Sequence, residues 1–343
     1  MKKSLIALAT LAAFAGAASA QSSVTLFGVV DLSAAHVSNG GGTQRVMNSN
    51  SYNSNRLGFR GVEDLGGGMT AQFWIEAGMG NDVGTVGGGS LTTASSQMFN
   101  RRSTLGLTGG FGEIRLGRDY TPQFWNTTVF DAFGTNGPGS SLNLSTGASG
   151  LGSGATTFVR ANNSIAYFLP GGLGGLYGQV QVSAGENAIG NKHTSFRLGY
   201  AAGPLNVSVA TGKTETGVND FKMSNIGASY DFGAAKVMGY INNSKFGAVK
   251  ERLTHLGLTA PFGATTLRAG YTQNNTSGGG FDARDAKQFA IGLIYDLSKR
   301  TALYTDFSRI SNSAGANYSV GSGATNTLGH SARGFDVGVR HAF

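Results

Sequence analysis

Arginine carries the most promising chemistry in this chain of 343 residues. Arg56 and Arg60 are four apart, which is one face of an extended strand, and Arg102, Arg115 and Arg160 follow further along. A guanidinium stays protonated at any physiological pH and presents five donors in a planar fork, so its chemistry is the attraction and orientation of anions. Catalysis would need more. The five histidines, His36, His193, His255, His330 and His341, include none that the spacing sets beside a nucleophilic Ser and an orienting polar group, as acyl hydrolysis requires. There is no Cys, so neither a disulfide nor a thiolate metal site is available, and no H-x-x-x-H pair or acidic cluster offers another metal set. The Gly-Gly-Gly runs at 66–68 and 87–89 lack the GK[ST] that follows a phosphate loop. The expectation is a non-enzyme without metal or cofactor. Lys plus Arg outnumber Asp plus Glu by 26 to 18, but the charge is dilute and forms no basic stripe with aromatics, so nucleic acid is not an expected partner.

The elements that would position these arginines are strands. Glycine accounts for 56 residues and proline for only 5, which excludes collagen. Charged residues make up 13%, too few for a disordered polyelectrolyte. Residues 1–20 read as a cleaved secretory signal: Lys2 and Lys3, an apolar stretch Leu5–Ala18, and an A-x-A site at Ala18-Ser19-Ala20. That stretch is shorter than the ~20 residues a spanning helix needs. The mature chain, 21–343, has no run approaching 18 apolar residues, so it is either a soluble exported protein or a β-barrel, the closed sheet that satisfies every backbone group in lipid.

Period-two alternation recurs almost throughout, as in Val24, Leu26, Val30 and Leu32 against Thr25, Asp31 and Ser33, or Phe196, Leu198 and Tyr200 against Arg197. Short turns are expected at Leu65–Gly68, Gly109–Gly112, Pro170–Gly175, Gly203–Pro204, Phe232–Ala234, Pro261–Gly263 and Asp296–Arg300. Between them fall longer polar connections at 36–53, 80–98, 121–156, 186–193, 214–221, 244–250, 274–285 and 311–332. Seven turns alternating with eight loops give sixteen strands, with turns at one end and loops at the other, which is the pattern of a transmembrane barrel. Phe168, Tyr200, Tyr230, Phe262 and Tyr295 lie near the short turns and are expected to form an interfacial girdle. The chain ends on an alternating strand with Phe343 as its last residue.

Strand parity turns Arg56, Arg60, Arg102, Arg115 and Arg160 inward, because arginine on the lipid face costs about 2–4 kcal/mol near the midplane. Arg118 shares parity with Ile114 and Leu116 and points outward. The third connection is the longest, and Val129, Phe130 and Phe133 are placed to anchor it against a wall, while its Gly/Ser-rich half, 137–154, is where mobility would concentrate.

Four segments together resemble the general porins of Gram-negative bacteria, closest to the beta-proteobacterial branch. They are Ser23-Val-Thr-Leu-Phe-Gly-Val-Val-Asp31, Asn55-Arg-Leu-Gly-Phe-Arg-Gly-Val-Glu-Asp-Leu-Gly66, Gly112-Glu-Ile-Arg-Leu-Gly-Arg-Asp-Tyr120 and the terminal Phe343. The resemblance covers the whole mature chain. It implies an all-β, sixteen-stranded antiparallel barrel, usually a homotrimer, set in outer-membrane lipid and lipopolysaccharide and passing ions and small hydrophilic solutes. It further implies a third loop folded into the lumen, with Val129, Phe130, Asp131, Ala132, Phe133 and Gly134 as the constriction segment and Asp131 its only carboxylate. It matches Arg56 and Arg160 to basic pore-lining positions, with Arg102 near a third, places Arg118 at a subunit contact, and makes Phe343 the signal read by the barrel-assembly machinery.

Five inward guanidiniums facing one loop carboxylate would make an electropositive waist that favours anions. The competing expectation pairs each arginine with a lumen acid, Glu76, Glu113 or Asp119, and leaves only a stiffened wall. At the level of function, a passive channel with modest anion preference stands against a porin specific for small organic anions or phosphate, and against a soluble exported adhesin.

Overall fold

A strand that buries one face must pair both edges, and sixteen such strands do so here by closing on themselves. The computed structural model describes residues 23–87, 97–321 and 326–343, so the signal segment 1–20 lies outside the described residues. The barrel strands are β1 (Ser23–Asn39), β2 (Arg56–Gly66), β3 (Met69–Gly80), β4 (Arg102–Gly109), β5 (Gly112–Tyr120), β6 (Arg160–Phe168), β7 (Leu176–Ser183), β8 (His193–Ala202), β9 (Leu205–Glu215), β10 (Asp220–Asp231), β11 (Lys236–Phe246), β12 (Val249–Phe262), β13 (Thr265–Ser277), β14 (Ala286–Asp296), β15 (Thr301–Asn312) and β16 (Ala332–Ala342). Each pairs antiparallel with its sequence neighbour, and β16 returns to β1 from Val29↔Ala342 to Asn39↔Ala332. The first part of β1 pairs with β2, and its far part with an extra strand, Gly42–Ser49, that carries the sheet beyond the barrel rim.

The seam is locked by the last residue. The backbone N–H and C=O of Phe343 bond those of Gly28 at 3.1 and 3.0 Å. A Cβ on Gly28 would stand 2.3 Å from a Phe343 ring carbon, so the close passage of this ring requires glycine there.

Alternation sorts the two faces as the sequence predicts. Val24, Leu26, Leu105, Ile165, Val180, Phe196, Ile226, Leu256 and Phe289 stand exposed on the outside, where lipid rather than protein covers them. Gln181, Ser208, Asn225, Asn242, Thr272 and Gln288 point inward. Among the described residues no helix is long and apolar enough to cross a membrane; the strands do the crossing.

Three expectations need correction. The connection placed at 244–250 is a two-residue turn, Gly247–Ala248, and the one at 214–221 shrinks to Thr216–Asn219. Both stretches are polar because their strands continue in register past the hydrocarbon into water, so polarity there marks the membrane boundary rather than a loop. Phe168 is not in the girdle. Ile165 takes the outward parity, and Phe168 faces the bore, where the Arg115 guanidinium covers its ring at 4.1 Å. Tyr200, Tyr230, Phe262 and Tyr295 are exposed on the outside near the turns.

Candidate functional site: the narrowed lumen

The third connection folds into the bore and packs on the inner faces of the strands. It begins with helix α1 (Pro122–Val129), with proline in the first turn, where its missing N–H costs nothing. The helix lies against the inner faces of β8–β10. Asn126 donates to Asn225 Oδ1 at 2.9 Å, Asn225 donates to the Gln123 carbonyl at 2.8 Å, and Gln123 contacts His193 at 3.2 Å. Phe130 and Phe133 follow, 0% and 1% exposed. A Cβ on Gly227 of β10 would sit 2.1 Å from the Phe130 ring, so a flat glycine surface on the wall lets this ring seat.

Asp131 does not face the arginines. Its carboxylate accepts from the Phe133 N–H at 2.7 Å, from the Ser141 N–H at 3.0 Å and from the Ser141 hydroxyl, and lies 3.7 Å from His255 Nε2. Buried backbone N–H groups need acceptors, and this carboxylate serves the loop's own turns. Ala132 stands beside Gly257 of β12, and Gly134 turns the chain at φ +59°. The Gly/Ser-rich half is likewise fastened. A 3₁₀ turn spans Ser141–Leu144, Glu251 accepts from the Thr146 N–H at 2.7 Å, and Gln288 donates to the Pro138 and Ser140 carbonyls at 3.2 and 3.1 Å.

Across the bore, β2–β6 carry the arginines. All five expected residues lie on the lumen side. Arg56, Arg102 and Arg115 line a cavity of about 460 Å³, Arg60 borders an adjoining one with Arg102 and Glu113, and Arg160 sits toward the mouth beside Arg101. The acids named as possible partners are indeed used. Arg115 grips Glu113 at 2.7 and 2.8 Å and Asp119 at 2.7 Å, Arg102 lies 3.5 Å from Asp119, and Arg56 lies 3.6 Å from Glu76. Several guanidiniums also cover aromatic rings: Arg102 on Trp74 at 4.6 Å, Arg160 on Tyr120 at 4.3 Å, and Arg60 5.3 Å from Trp74. Such stacking holds the planar group in place at little cost to its charge.

Two further arginines join the site. Arg197 of β8 lines the same cavity, donating to Asn126 at 2.9 Å and to Tyr177 at 3.2 Å. Arg101 bonds Glu76 at 2.5 Å and Tyr120 at 3.2 Å. Burial works against the Arg101 charge, but Tyr120 and Glu76 more than offset it and hold its pKa above the ordinary guanidinium value. Alternation had placed Arg197 inward without singling it out. Arg101 precedes its strand, where parity says nothing. One side of the bore thus carries seven guanidiniums, of Arg56, Arg60, Arg101, Arg102, Arg115, Arg160 and Arg197, against the carboxylates of Glu76, Glu113 and Asp119; elsewhere on the inner wall Arg268 is paired with Asp306 at 2.6 Å, Arg340 covers the Tyr52 ring, and Asp31, Glu251 and Asp336 are buried and accept hydrogen bonds. Arg60, Arg160 and Arg197 have no carboxylate within 4.0 Å among the described residues. Arg118 stands apart, donating to the Asn100 carbonyl and the Asn162 side chain of its own chain.

A family model described as Gram-negative porin matches residues 7–316. The chain belongs to the Gram-negative porins. Outer membrane porin protein 32 of Delftia acidovorans is 36% identical to it over 365 aligned positions covering the whole of both chains. The major outer membrane protein P.IB of Neisseria meningitidis serogroup B is 28% identical, again over the full length of both. Among solved structures, the anion-selective porin from Comamonas acidovorans superposes with a TM-score of 0.83 at 33% identity, over 94% of this chain and all of that one. This porin is therefore an outer-membrane protein whose sixteen-stranded barrel lets small solutes diffuse through a water-filled bore, as barrels of this strand number do. The trimer form of Vibrio cholerae OmpT, at 15% identity and a TM-score of 0.69, shares the fold.

Proposed function

We propose that this porin passes small anions in preference to cations, without catalysis, metal or cofactor. The observation that carries the reading is the imbalance on one side of the bore, seven guanidiniums against three carboxylates, while the other inward acids, Asp31, Asp131, Glu251, Asp306 and Asp336, are buried and committed to hydrogen-bond donors or to Arg268. The paired acids soften the field without cancelling it. Low-dielectric walls focus what remains and raise the local anion concentration. The relative of known structure named above is itself an anion-selective porin. In this reading Val129–Gly134 narrows the bore and Arg56, Arg60, Arg102, Arg115 and Arg160, joined by Arg101 and Arg197, form the basic wall. The reading also includes assembly as a homotrimer through the apolar outer face of β1–β6, with Arg118 at the contact, and Phe343 as the residue that presents the closing strand for assembly. The test is a reversal potential across a planar bilayer in a potassium chloride gradient. Chloride is expected to be favoured over potassium, and a cation-selective potential would refute the reading.

A further inference from the structure

One cavity on the bore wall holds more aromatic surface than the attraction of small inorganic anions requires. Its volume is about 460 Å³, and Trp74, Tyr120, Trp125, Phe168 and Tyr177 line it together with the arginines. A cavity of this size, with several rings and a few placed polar groups, is the usual setting for a small organic molecule. Three of the rings are covered by guanidiniums: Trp74 by Arg102 at 4.6 Å, Tyr120 by Arg160 at 4.3 Å and Tyr177 by Arg197 at 4.8 Å. Trp125 is different. It stands on the face of α1 opposite Gln123 and Thr127, which are buried against the wall, and it is 40% exposed. Its ring meets that of Tyr120 at 5.5 Å, and its indole N–H has no hydrogen-bond partner among the described residues.

The strands add a ring, an amide and a cation in one row. Phe168 of β6 is the direct cross-strand partner of Gln179 of β7, and Gln179 is that of Arg197 of β8. All three line the cavity. Neighbouring strands lie 4.7–4.9 Å apart, so the row runs from aromatic ring to guanidinium over about 10 Å. Arg115 covers Phe168 at 4.1 Å. Gln179 makes no hydrogen bond among the described residues. Arg197 is aimed by two bonds, from Nε to Asn126 at 2.9 Å and from Nη2 to Tyr177 at 3.2 Å, and its Nη1 has no acceptor among the described residues. Tyr177 reaches this place because Gly199 lies beneath its ring, where a Cβ would stand 2.3 Å away.

We propose that this cavity is a binding subsite for aromatic carboxylates, with the ligand ring resting on Trp125 and Phe168 and its carboxylate accepting from the Gln179 amide and Arg197 Nη1. The inference deepens the anion reading and rests on it. A planar carboxylate matches the guanidinium fork, and a planar ring adds both apolar burial and a π face to meet the exposed indole. Chloride uses only the charge of this site, a neutral aromatic only its rings, and a saturated acid of the same size has no π face to offer. An acid that satisfies both halves is held longest. Binding stays weak enough for release, as conduction demands, so half-saturation falls in the millimolar range.

The test reconstitutes the full-length porin in a planar bilayer in potassium chloride at fixed ionic strength and follows the fall in chloride current as benzoate is added. Cyclohexanecarboxylate and the neutral benzamide serve as comparisons. Benzoate is expected to half-saturate at a concentration roughly threefold or more below that of cyclohexanecarboxylate, and benzamide to leave the current unchanged over the same range. Trp125→Leu should bring the two acids to the same value, because the π face is lost, while Gln179→Ala should weaken both by a similar factor. Equal block by the two acids in the parent, block by benzamide matching that by benzoate, a benzoate preference retained in W125L, or parental benzoate block in Q179A would each overturn the proposal. The comparison of acids in the parent needs no variant, so a substituted chain that fails to insert leaves the test standing. The reversal potential of the same parent channels, taken before any organic acid is added, separates the two readings. An anion-selective channel without benzoate preference refutes this proposal alone, whereas a cation-selective channel refutes both.

Discussion

Arg115 and Asp131 sit on opposite sides of the bore, and both are saturated with partners. Arg115 is held by two carboxylates and an aromatic ring, whereas Asp131 is held by two backbone N–H groups and a hydroxyl. On the β2–β6 wall the partners of charge are other charges, and the surplus faces water. On the β8–β14 side Asp131 and Glu251 are spent on the loop's own backbone and uncharged side chains, and Arg268 is neutralised by Asp306 at 2.6 Å. In the proposed reading one wall sets the field and the other sets the width, so counting charges in the lumen without asking what each is bonded to would misjudge both.

Breaking the loop wall should have the largest effect. Gly227→Leu drives a side chain into the Phe130 ring, overpacking that costs about 1–3 kcal/mol. The loop should lift, raising single-channel conductance and adding flicker; a quiet channel of parental conductance would show that the Phe130 seat does not hold the loop. Next comes the basic wall. Replacing the three arginines without carboxylate partners, R60Q/R160Q/R197Q, leaves four guanidiniums against three carboxylates on that side of the bore. Reversal potentials should fall close to the non-selective value, and a retained chloride preference would mean that the paired arginines dominate the field.

A sharper contrast comes from two acids. Asp131→Asn should leave ion preference unchanged while loosening the loop by about 1–3 kcal/mol, because its amide NH2 cannot accept from one of the two backbone N–H groups, read as channel noise. Asp119→Asn should increase anion preference, because it frees charge on Arg102 and Arg115. The same response from both would erase the distinction between the walls. The smallest effect is expected from Arg118→Ala, which should lower the trimer's melting temperature in detergent by a few degrees. An unchanged temperature would confine Arg118 to its bonds with Asn100 and Asn162.

Parity explains what the sequence could and could not reveal. Strand alternation has one binary output, in or out, and it places Arg56, Arg60, Arg102 and Arg115 in the lumen because a wrong choice would put arginine in lipid. It has no output for loops. The turn of Asp131 away from the bore, and the arrival of Arg101 beside Glu76, depend on which buried donors lie nearby once the chain has closed, which no local pattern encodes. Arg197 was legible as inward but not as part of the site, since alternation gives its side and not which inward residues share one cavity around the wall. The polar stretch 244–250 read as a loop because polarity marks water, and a strand that rises out of the membrane is as polar as a turn.

The central claim is that mobile anions gather at the arginines of the β2–β6 wall and at Arg197, and not along the loop-fixing carboxylates. Crystals of the porin soaked in rubidium bromide would test it most directly through anomalous scattering. Bromide peaks are expected beside Arg60, Arg160 and Arg197, with none along Asp131 and Glu251. Rubidium at the arginine wall, or bromide spread evenly around the bore, would contradict the account.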